Sequence, residues 1–405
     1  MRVLALVSFG ALVAAGLAAR LSIPAASPPV APIDSSLQAV ACPSPGQCIS
    51  VGFTGSKYTV LVPLAALLED GAWTVRPRQP PSQRGDMFPS AVACRSRTSC
   101  IAAGVREVPA PYFGAPSAGD RPFIQTWDGK TWREHPGVVP PGTADAELRG
   151  IACASSTCMA VGEYAKRLHE DRALAESWDG NSWKLHLPPT IVSRGEAAES
   201  VLSDVACVSP TSCIAVGQFR LELIGGLLPV VGPLIERWDG RAWHAERSAN
   251  PGSDDAELYG VSCHSPGRCV AVGSQLLRSR TFGTLAEAWD GTAWHVLETP
   301  DPPRSTNARL LDVTCPRSDR CIAVGSSTSS GGRQPLIEAW DGRRWRVEPI
   351  AVPASFSSST LDSIDCAAPA SCHAVGTYQE RAPILHSFSA ELIDGDWMVR
   401  PIRGT

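Results

Sequence analysis

The sequence has little lysine, few aromatic residues and no excess of positive charge. Lysine and arginine together number 36 against 40 aspartate and glutamate residues, which gives a net charge of −4. Proteins that bind nucleic acid or anionic membranes carry a basic patch, so this balance argues against both kinds of partner. The chain also lacks Gly-x-Ser-x-Gly, His-Glu-x-x-His and phosphate-loop motifs. Their absence removes the common signatures of serine hydrolases, zinc peptidases and nucleotide-binding enzymes.

Long apolar runs are rare, and the sequence has one, at its N-terminus. Arg2 precedes the uncharged stretch 3–19, and Gly16 and Ala18 supply a small-x-small pattern for cleavage. This arrangement predicts a secretory signal peptide over residues 1–27, with an uncleaved N-terminal anchor as the alternative. Residues 28–36 are expected to form a linker. With either outcome, the rest of the chain is predicted to leave the cytoplasm and to be secreted or extracytoplasmic.

Cysteine, by contrast, is abundant: the chain has 14 cysteines, and they fall into close pairs. In an exported protein such pairs predict disulfides. A metal site would need Cys-x-x-Cys pairs or histidines at ligand spacing, and neither accompanies these cysteines, so we expect no metal and no cofactor. The predicted disulfides are Cys42–Cys48, Cys94–Cys100, Cys153–Cys158, Cys207–Cys213, Cys263–Cys269, Cys315–Cys321 and Cys366–Cys372.

Each cysteine pair belongs to a repeat of roughly 50 to 60 residues that contains four short segments. The segments follow Leu-x-x-Val-x-Cys, then Cys-x-Ala-Val-Gly, then a run ending in Trp-Asp-Gly, then a run beginning with Trp. Such segments, bounded by glycine, proline and aspartate, are typical of short β-strands joined by tight turns. Four antiparallel strands repeated in this way predict an all-β, seven-bladed β-propeller over residues 37–405. The repeats span 37–80, 87–138, 148–189, 202–249, 258–300, 310–353 and 361–402.

Residues that recur in every repeat are expected to serve packing, because packing is what every blade does. The tryptophans and the turn aspartates are therefore interpreted as structural. Cysteine, alanine and glycine of the second segment share one face of the strand, and we expect a neighbouring blade to approach closely there. The same structural interpretation applies to a recurring glutamate of the third segment, found as Glu176, Glu236, Glu287, Glu338 and Glu391.

The stretch "GVSCHSPGRCVAVGS … LAEAWDGTAWHVLETP" resembles the kelch repeat, in which a strand ending in glycine is followed by an aromatic-Asp turn and a Trp. The likeness covers residue 37 to the C-terminus, but one glycine replaces the usual pair and Trp178 or Trp238 stands where tyrosine is usual. The sequence is also similar to secreted bacterial proteins built of Cys-containing, Trp-Asp-Gly repeats. The resemblance implies the propeller fold and little about activity.

A ligand site must occupy particular blades, so candidate site residues are those that interrupt the repeat. An insertion in the second blade holds two aromatic residues among prolines. The segments that enter the third and fifth blades are acidic and lie on the same rim, where they could bind a ligand or act as an acid pair. The ligand-binding candidates are Tyr112, Phe113, Asp145, Glu147, Asp254, Asp255 and Glu257.

The fourth blade has an unusually apolar segment where a loop is expected. Exposed apolar loops usually lie against something, either their own domain or a partner. Both alternatives remain open for this segment. The interaction-loop candidates are Leu221, Leu223, Leu227, Leu228, Val230 and Val231.

The histidines give no ligand set. His373 replaces an apolar residue of the second segment and is expected to be a core or seam residue. His135, His186, His244 and His295 follow a motif tryptophan on the predicted outer strand, where we expect them to be exposed.

The two terminal repeats depart from the pattern in the same way. They read "LEDGAW" and "LIDGDW", so that Glu69 and Ile393 replace the first tryptophan and the turn is one residue shorter. These repeats are neighbours in a closed ring. We predict that the last blade closes on the first mainly by face-to-face packing, without an exchanged strand, and that this seam is the weakest.

No catalytic residue is assigned. The tyrosine and histidine ligands of copper-oxidase propellers and the arginine cluster of sialidases have no counterpart among the recurring or inserted residues. The predicted function is a monomeric, exported, non-catalytic binding scaffold for an extracellular protein or glycan. Nucleic acid is not an expected partner, and a membrane is expected only through an uncleaved N-terminus. The alternative is a propeller-type glycosidase or lyase that uses the acidic segments entering the third and fifth blades.

Overall fold

The computed structural model describes residues 34–55, 61–77, 85–108, 119–167, 170–193, 196–221, 229–249, 255–380 and 384–402. These residues form four-stranded antiparallel sheets, each built from contiguous chain. The sheets of blades 5 and 6 are also joined by one parallel bridge, between Phe282 and Asn307. First strands of successive blades contact one another, and the last contacts the first, so the ring is closed. The predicted seven-bladed β-propeller is confirmed.

The strands are numbered first to fourth within each blade, from the centre of the ring outward. Blades 1 to 4 consist of Asp34–Ser44, Gln47–Gly55, Val62–Glu69 and Ala72–Pro77; Met87–Ser96, Ser99–Arg106, Arg121–Trp127 and Trp132–Pro136; Asp145–Ala154, Thr157–Ala165, Asp171–Trp178 and Trp183–Leu185; and Glu199–Ser209, Ser212–Leu221, Val230–Trp238 and Trp243–Glu246. Blades 5 to 7 consist of Ala256–Ser265, Arg268–Leu276, Phe282–Trp289 and Trp294–Leu297; Asn307–Arg317, Arg320–Ser329, Gly332–Trp340 and Trp345–Val347; and Ser358–Ala368, Ser371–Gln379, Leu385–Ile393 and Asp396–Pro401. A short hairpin, Val192–Ser193 with Glu196–Ala197, precedes blade 4. Blade 1 begins at Asp34, so the last residues of the predicted linker belong to its first strand.

The hydrophobic core lies in the seams between blades. In the seam between blades 2 and 3, Ile101 and Ile124 of one blade pack with Leu148, Trp178 and Trp183 of the next. Alternation along each strand sends successive side chains to opposite seams, so both faces of every blade are buried. The tryptophans therefore pack, as predicted.

The glycine that ends each second strand is required by its own blade. A Cβ at Gly162 would lie 2.0 Å from the carbonyl oxygen of Glu147 in the adjacent first strand. The corresponding clash recurs at Gly52, Gly104, Gly217, Gly273, Gly325 and Gly376. The expected close approach at this glycine thus comes from the first strand, which bulges there, and not from a neighbouring blade.

The outer turns explain why the aspartates recur and why the terminal blades depart from the Trp-Asp-Gly-x-x-Trp pattern. Asp128 Oδ1 accepts hydrogen bonds from the N–H groups of Lys130 and Thr131, an Asx-type turn. In blade 1 the residue paired with Trp73 is Leu68, not Glu69, and in blade 7 it is Leu392, not Ile393. The connection keeps its length, while the Asp-Gly pair moves one residue along and forms a two-residue turn with positive φ.

The recurring glutamates of blades 3 to 6 are buried in the seam with the preceding blade. Glu176 Oε2 accepts a 2.8 Å hydrogen bond from the N–H of Val138, in the linker that leaves blade 2. Glu391 does not belong to this series. It is paired with Met398 and, one residue out of register, lies on the opposite face of blade 7 beside the buried His373.

The seam between blades 7 and 1 closes the ring without an exchanged strand, as predicted. Apolar packing is supplemented by hydrogen bonds from three N–H groups of the first strand of blade 1. Leu37 N donates to Ser387 Oγ over 3.2 Å, and Cys42 N donates to Asp365 Oδ2 over 2.7 Å. Val40 N donates to Ser363 Oγ, also over 3.2 Å. The seam is therefore more polar than expected; its strength relative to the other seams remains a prediction.

All cysteines form disulfides within their own blades, in the predicted pairs. No free cysteine remains. Each bridge joins the first and second strands across a short hairpin, so the chain-entropy gain is about 2 kcal/mol per bridge. Their number suits an oxidising, extracellular compartment.

The disulfides predict that the exported protein, denatured without reductant, exposes no reactive thiol. A peptide map after proteolysis should show every bridge inside one repeat. Mass spectrometry of alkylated and unalkylated samples checks both statements. Bridges between different repeats, or alkylation of any cysteine in the unreduced protein, would contradict the pairing.

Candidate functional site

A bulge occurs at the same position in the first strand of every blade. The residue that follows the repeat's leucine, or Pro89 in blade 2, has no partner in the second strand, and the register shifts by one at that point. A bulge re-aims its side chain and often accompanies functional sites. The bulge residues are Gln38, Ser90, Arg149, Ser203, Tyr259, Leu311 and Asp362.

These bulge residues all line one cavity at the centre of the ring, with a volume of about 390 Å³. Its walls are the first strands of all the blades. The bulge residues include cationic, anionic, aromatic, apolar and neutral polar side chains, so their chemistry changes from blade to blade. Each blade therefore contributes a side chain of different chemistry to the same cavity.

The carboxyl groups of the cavity are concentrated on one side of it. Blades 1 to 3 offer only alanine or glycine on either side of the recurring valine or isoleucine, as at Ala91 and Ala93. Blades 4, 6 and 7 place acidic residues there. These are Asp204, Asp312 and Asp365, and the bulge residue Asp362 lies beside them in the lining.

The acidic residues hold the next blade in place. Asp204 Oδ2 accepts a 2.9 Å hydrogen bond from the N–H of Val261 in blade 5. Asp312 Oδ2 accepts from the N–H of Ile364 and from Ser363 Oγ in blade 7, both over 2.8 Å. The first strand has no ladder partner on its inner side, and these carboxylates satisfy some of its N–H groups.

Burial moves the pKa values of these carboxyl groups upward, toward neutral pH. It raises the pKa of Asp312 to about 6 and that of Asp362 to about 7, in both cases against hydrogen bonds that lower it. Burial, together with the charge of Asp312, also raises the pKa of Asp204. A positively charged group entering the cavity would favour the ionised forms and would itself be stabilised.

At blade 3, Arg149 lines the cavity and is held by two glutamates. Arg149 donates two hydrogen bonds to Glu163, each over 2.7 Å, in a bidentate arrangement. Arg149 also forms an ion pair with Glu147. Burial raises the pKa of Glu163, and the guanidinium opposes that rise.

At blade 5, Tyr259 lines the cavity and is held by its neighbours. The Tyr259 hydroxyl donates to Glu257 and lies 3.2 Å from Ser274 Oγ. The side-chain nitrogen of Gln218, from blade 4, lies 2.7 and 3.0 Å from the carboxylate oxygens of Glu257. Burial raises the pKa of Tyr259 to about 12, so the hydroxyl stays protonated.

The predicted acidic candidates are only partly brought to the cavity. Glu147 and Glu257 contact the lining residues Arg149 and Tyr259, but blade 4 separates them and no described hydrogen bond or ion pair joins them. Asp145 instead accepts a hydrogen bond from the N–H of Asp120. Asp255 lies at a β-bridge with Val231. No group of three His, Cys, Asp or Glu side chains suited to a metal occurs in the described part of the chain.

The predicted interaction loop is shorter than expected. Leu221 pairs with Val230, and Arg220 pairs with Val231, so these apolar residues extend the hairpin of blade 4. Leu223, Leu227, Leu228, Tyr112, Phe113 and Asp254 lie outside the described residues. Among the residues that are described, no helix has the length and apolar character needed to cross a membrane.

Sequence reasoning missed most of the residues that line the cavity. Arg149, Tyr259, Asp312 and Asp362 were not candidates, because they occupy the variable positions of a repeat and resemble ordinary surface variation. The available signal was the pair of unspecified residues in Leu-x-x-Val-x-Cys. In a propeller the first strand faces the axis, so variation there is variation around one shared cavity.

Comparisons with known proteins support the fold. No protein-family model matches the sequence, and no curated protein matches it significantly. The β-propeller domain of the Trilobed protease from Pyrococcus furiosus is 10% identical, with a TM-score of 0.50, and the match covers 91% of this chain and 98% of that one. YCF48 bound to D1 peptide is 15% identical, with a TM-score of 0.48 and coverage of 90% and 95%.

An α-L-arabinofuranosidase of Fusarium graminearum in complex with arabinobiose is 13% identical, with a TM-score of 0.42 and coverage of 73% of this chain and 88% of that one. At such identities, likeness to solved structures bears on the fold alone. The kelch resemblance of the sequence stays a prediction.

Proposed function

We propose that this protein is an exported, non-catalytic binding scaffold that takes a basic side chain of an extracellular partner protein into its central cavity. The observation that carries the proposal is the ring of bulge residues, which line one cavity and differ from blade to blade. Packing between equivalent blades favours the same residue in every blade, whereas recognition of an asymmetric ligand requires residues that differ between blades. The disulfides support a location outside the cytoplasm.

The charge of the cavity favours a cationic group. Four aspartates line it against one arginine, Arg149, and that arginine is already paired with Glu163. A lysine or arginine side chain carries donors only, so it complements a lining rich in carboxylate acceptors. A cavity of about 390 Å³ lies in the size range of small-molecule sites, about 300–1,000 Å³.

The glycosidase alternative has less support. That chemistry needs two carboxyl groups on either side of one glycosidic bond. Glu147 is paired with Arg149, and Glu257 accepts a hydrogen bond from Tyr259. Both carboxylates are therefore engaged by their own strands, which suits a rigid recognition surface better than proton transfer.

The proposal predicts that the protein binds short peptides centred on arginine or lysine and does not bind matched peptides centred on glutamate. Calorimetric titration measures both. Asp362→Asn should weaken binding of the basic peptides about tenfold, a loss of about 1.4 kcal/mol. Binding should also strengthen from about pH 6 to about pH 8, because Asp362, with a pKa of about 7, is ionised in the complex.

The matched control is Asp396→Asn, which removes the same charge from an exposed position on the fourth strand of blade 7. It should leave the affinity and its pH dependence unchanged. Equal binding of basic and acidic peptides would contradict the proposal. So would an affinity that Asp362→Asn and Asp396→Asn alter alike, or a protein that binds only neutral glycans.

A further inference from the structure

The first tryptophans of the Trp-Asp-Gly-x-x-Trp turns are not equally covered. Those of blades 2, 3 and 4 are buried: Trp127, Trp178 and Trp238 are 6%, 8% and 5% exposed. Trp289 of blade 5 and Trp340 of blade 6 are only half-buried. A tryptophan that packs between blades elsewhere in the ring is thus partly exposed to solvent on two adjacent blades.

In blades 3 and 4 the first tryptophan is covered by a histidine of the preceding blade. His135 packs on Trp178 of the next blade, with ring centroids 5.4 Å apart, and His186 packs on Trp238 at 4.8 Å. Each histidine stands three residues after the second tryptophan of its own blade, a position that blade 5 fills with Leu297. These two histidines were expected to be exposed, and the structure shows that they instead cover the next seam.

The histidine is held by a hydroxyl that blade 5 also lacks. His135 Nε2 lies 2.8 Å from Thr126 Oγ1, and His186 Nε2 lies 2.9 Å from Ser177 Oγ. The equivalent residue of blade 5 is Ala288, paired with His295. Both parts of the cover seen between blades 2 and 3 and between blades 3 and 4 are therefore missing between blades 5 and 6.

The seam between blades 5 and 6 holds a cavity of about 410 Å³, which Trp289, Trp340, Ala288 and Leu297 line. A cavity at the corresponding place between blades 1 and 2, beside Trp127, has a volume of about 170 Å³. The larger volume is in the range of small-molecule sites, about 300–1,000 Å³. The seam between blades 5 and 6 therefore has the wider opening of the two.

Polar side chains of both signs border the two tryptophans. Asp290 is fixed by His295, whose Nε2 lies 2.8 Å from Asp290 Oδ2, and the Thr292 hydroxyl together with backbone N–H groups lowers the pKa of Asp290. Arg317 is held by two hydrogen bonds to Asp319, and Arg268 also lines the cavity. Two arginines against two aspartates leave the cavity without a strong net charge.

We propose that this cavity binds a neutral saccharide. An indole face offers apolar contact to the C–H face of a sugar ring. Carboxylate, imidazole and guanidinium groups supply the acceptors and donors that ring hydroxyls need. The balanced charge disfavours strongly anionic or cationic ligands. This site is separate from the central cavity and is independent of the function proposed for it.

The test is saturation-transfer NMR and tryptophan fluorescence with glucose, galactose, mannose, fucose, xylose, N-acetylglucosamine and cellobiose at millimolar concentration. At least one of these sugars is expected to bind the intact protein. Trp340→Ala should weaken that binding tenfold or more. Because Trp340 also packs, the double variant Ala288→Ser with Leu297→His is the decisive one: it rebuilds the cover of blades 2 and 3, so it should abolish binding without lowering the melting temperature.

The matched control is His186→Leu, which removes the cover of a different seam and should leave sugar binding unchanged. A panel in which no sugar binds would overturn the proposal. So would a sugar that binds the folded double variant as tightly as it binds the original protein.

Discussion

Truncation of the chain before Leu361 is expected to give a protein that binds hydrophobic dyes and no longer unfolds in one cooperative transition. Without blade 7, Val324 and Ile337 of blade 6 lose their cover, and Leu37 of blade 1 loses its contact with Val375. Each such side chain contributes about 1.5–3 kcal/mol when buried. The loss over both faces is on the order of 10 kcal/mol, comparable to the whole stability of a typical domain.

Scanning calorimetry, dye fluorescence and size-exclusion chromatography would measure this effect. Ser387→Ala in the full chain is the matched control, because it removes the acceptor of Leu37 N from the same seam and leaves both apolar faces covered. That change should cost about 1–3 kcal/mol and bind no dye. A truncated protein that stays monomeric, unfolds in one sharp transition and binds no dye would show that the stability of the blades does not depend on closure of the ring.

The fold was predictable because each of its requirements recurs in the sequence. One cysteine pair shows little, but the same spacing beside Leu-x-x-Val and Ala-Val-Gly in every repeat identifies a hairpin. The Trp-Asp-Gly-x-x-Trp segment likewise gives the second hairpin of each central blade. The closure without an exchanged strand followed from the frame, since every repeat begins with a first strand and ends with a fourth.

What could not be predicted depends on shifts of a single residue. A bulge has no sequence motif of its own, so Arg149 and Tyr259 stood out only as variable positions of Leu-x-x-Val-x-Cys and not as residues that line the axis. The same kind of shift moved Glu391 to the opposite face of its blade, although its sequence position matches the other glutamates. The register of a strand depends on how its side chains pack against those of neighbouring strands, and the pattern of residue types along one strand does not reveal that packing.

The buried glutamates should make the stability of the protein fall as the pH rises. Burial raises the pKa of Glu176, Glu236 and Glu338 to about 8. A carboxyl group whose pKa is higher in the folded than in the unfolded chain favours folding while it is protonated. This stabilisation is complete below about pH 4.5, the ordinary value for glutamate, and is lost as the pH rises through about 8. His135 and His186, whose pKa values burial lowers, act oppositely and reduce stability below about pH 6.5.

Glu236 should show the largest effect. Neither of its carboxyl oxygens has a hydrogen-bond partner among the described residues, and the linker residue equivalent to Val138 is Pro189, which has no N–H to donate. Glutamine resembles a protonated glutamate in shape and charge, and it does not titrate.

Glu236→Gln is therefore expected to match the original protein near pH 5 and to be more stable near pH 9, by on the order of 3 kcal/mol. Thermal unfolding across this pH range measures the difference. Glu298→Gln makes the same chemical change at an exposed position and should leave the profile as it is. If the two variants and the original protein lose stability in parallel between pH 5 and pH 9, Glu236 is not held protonated in the seam. An equal gain at both pH values would mean that glutamine simply packs better there.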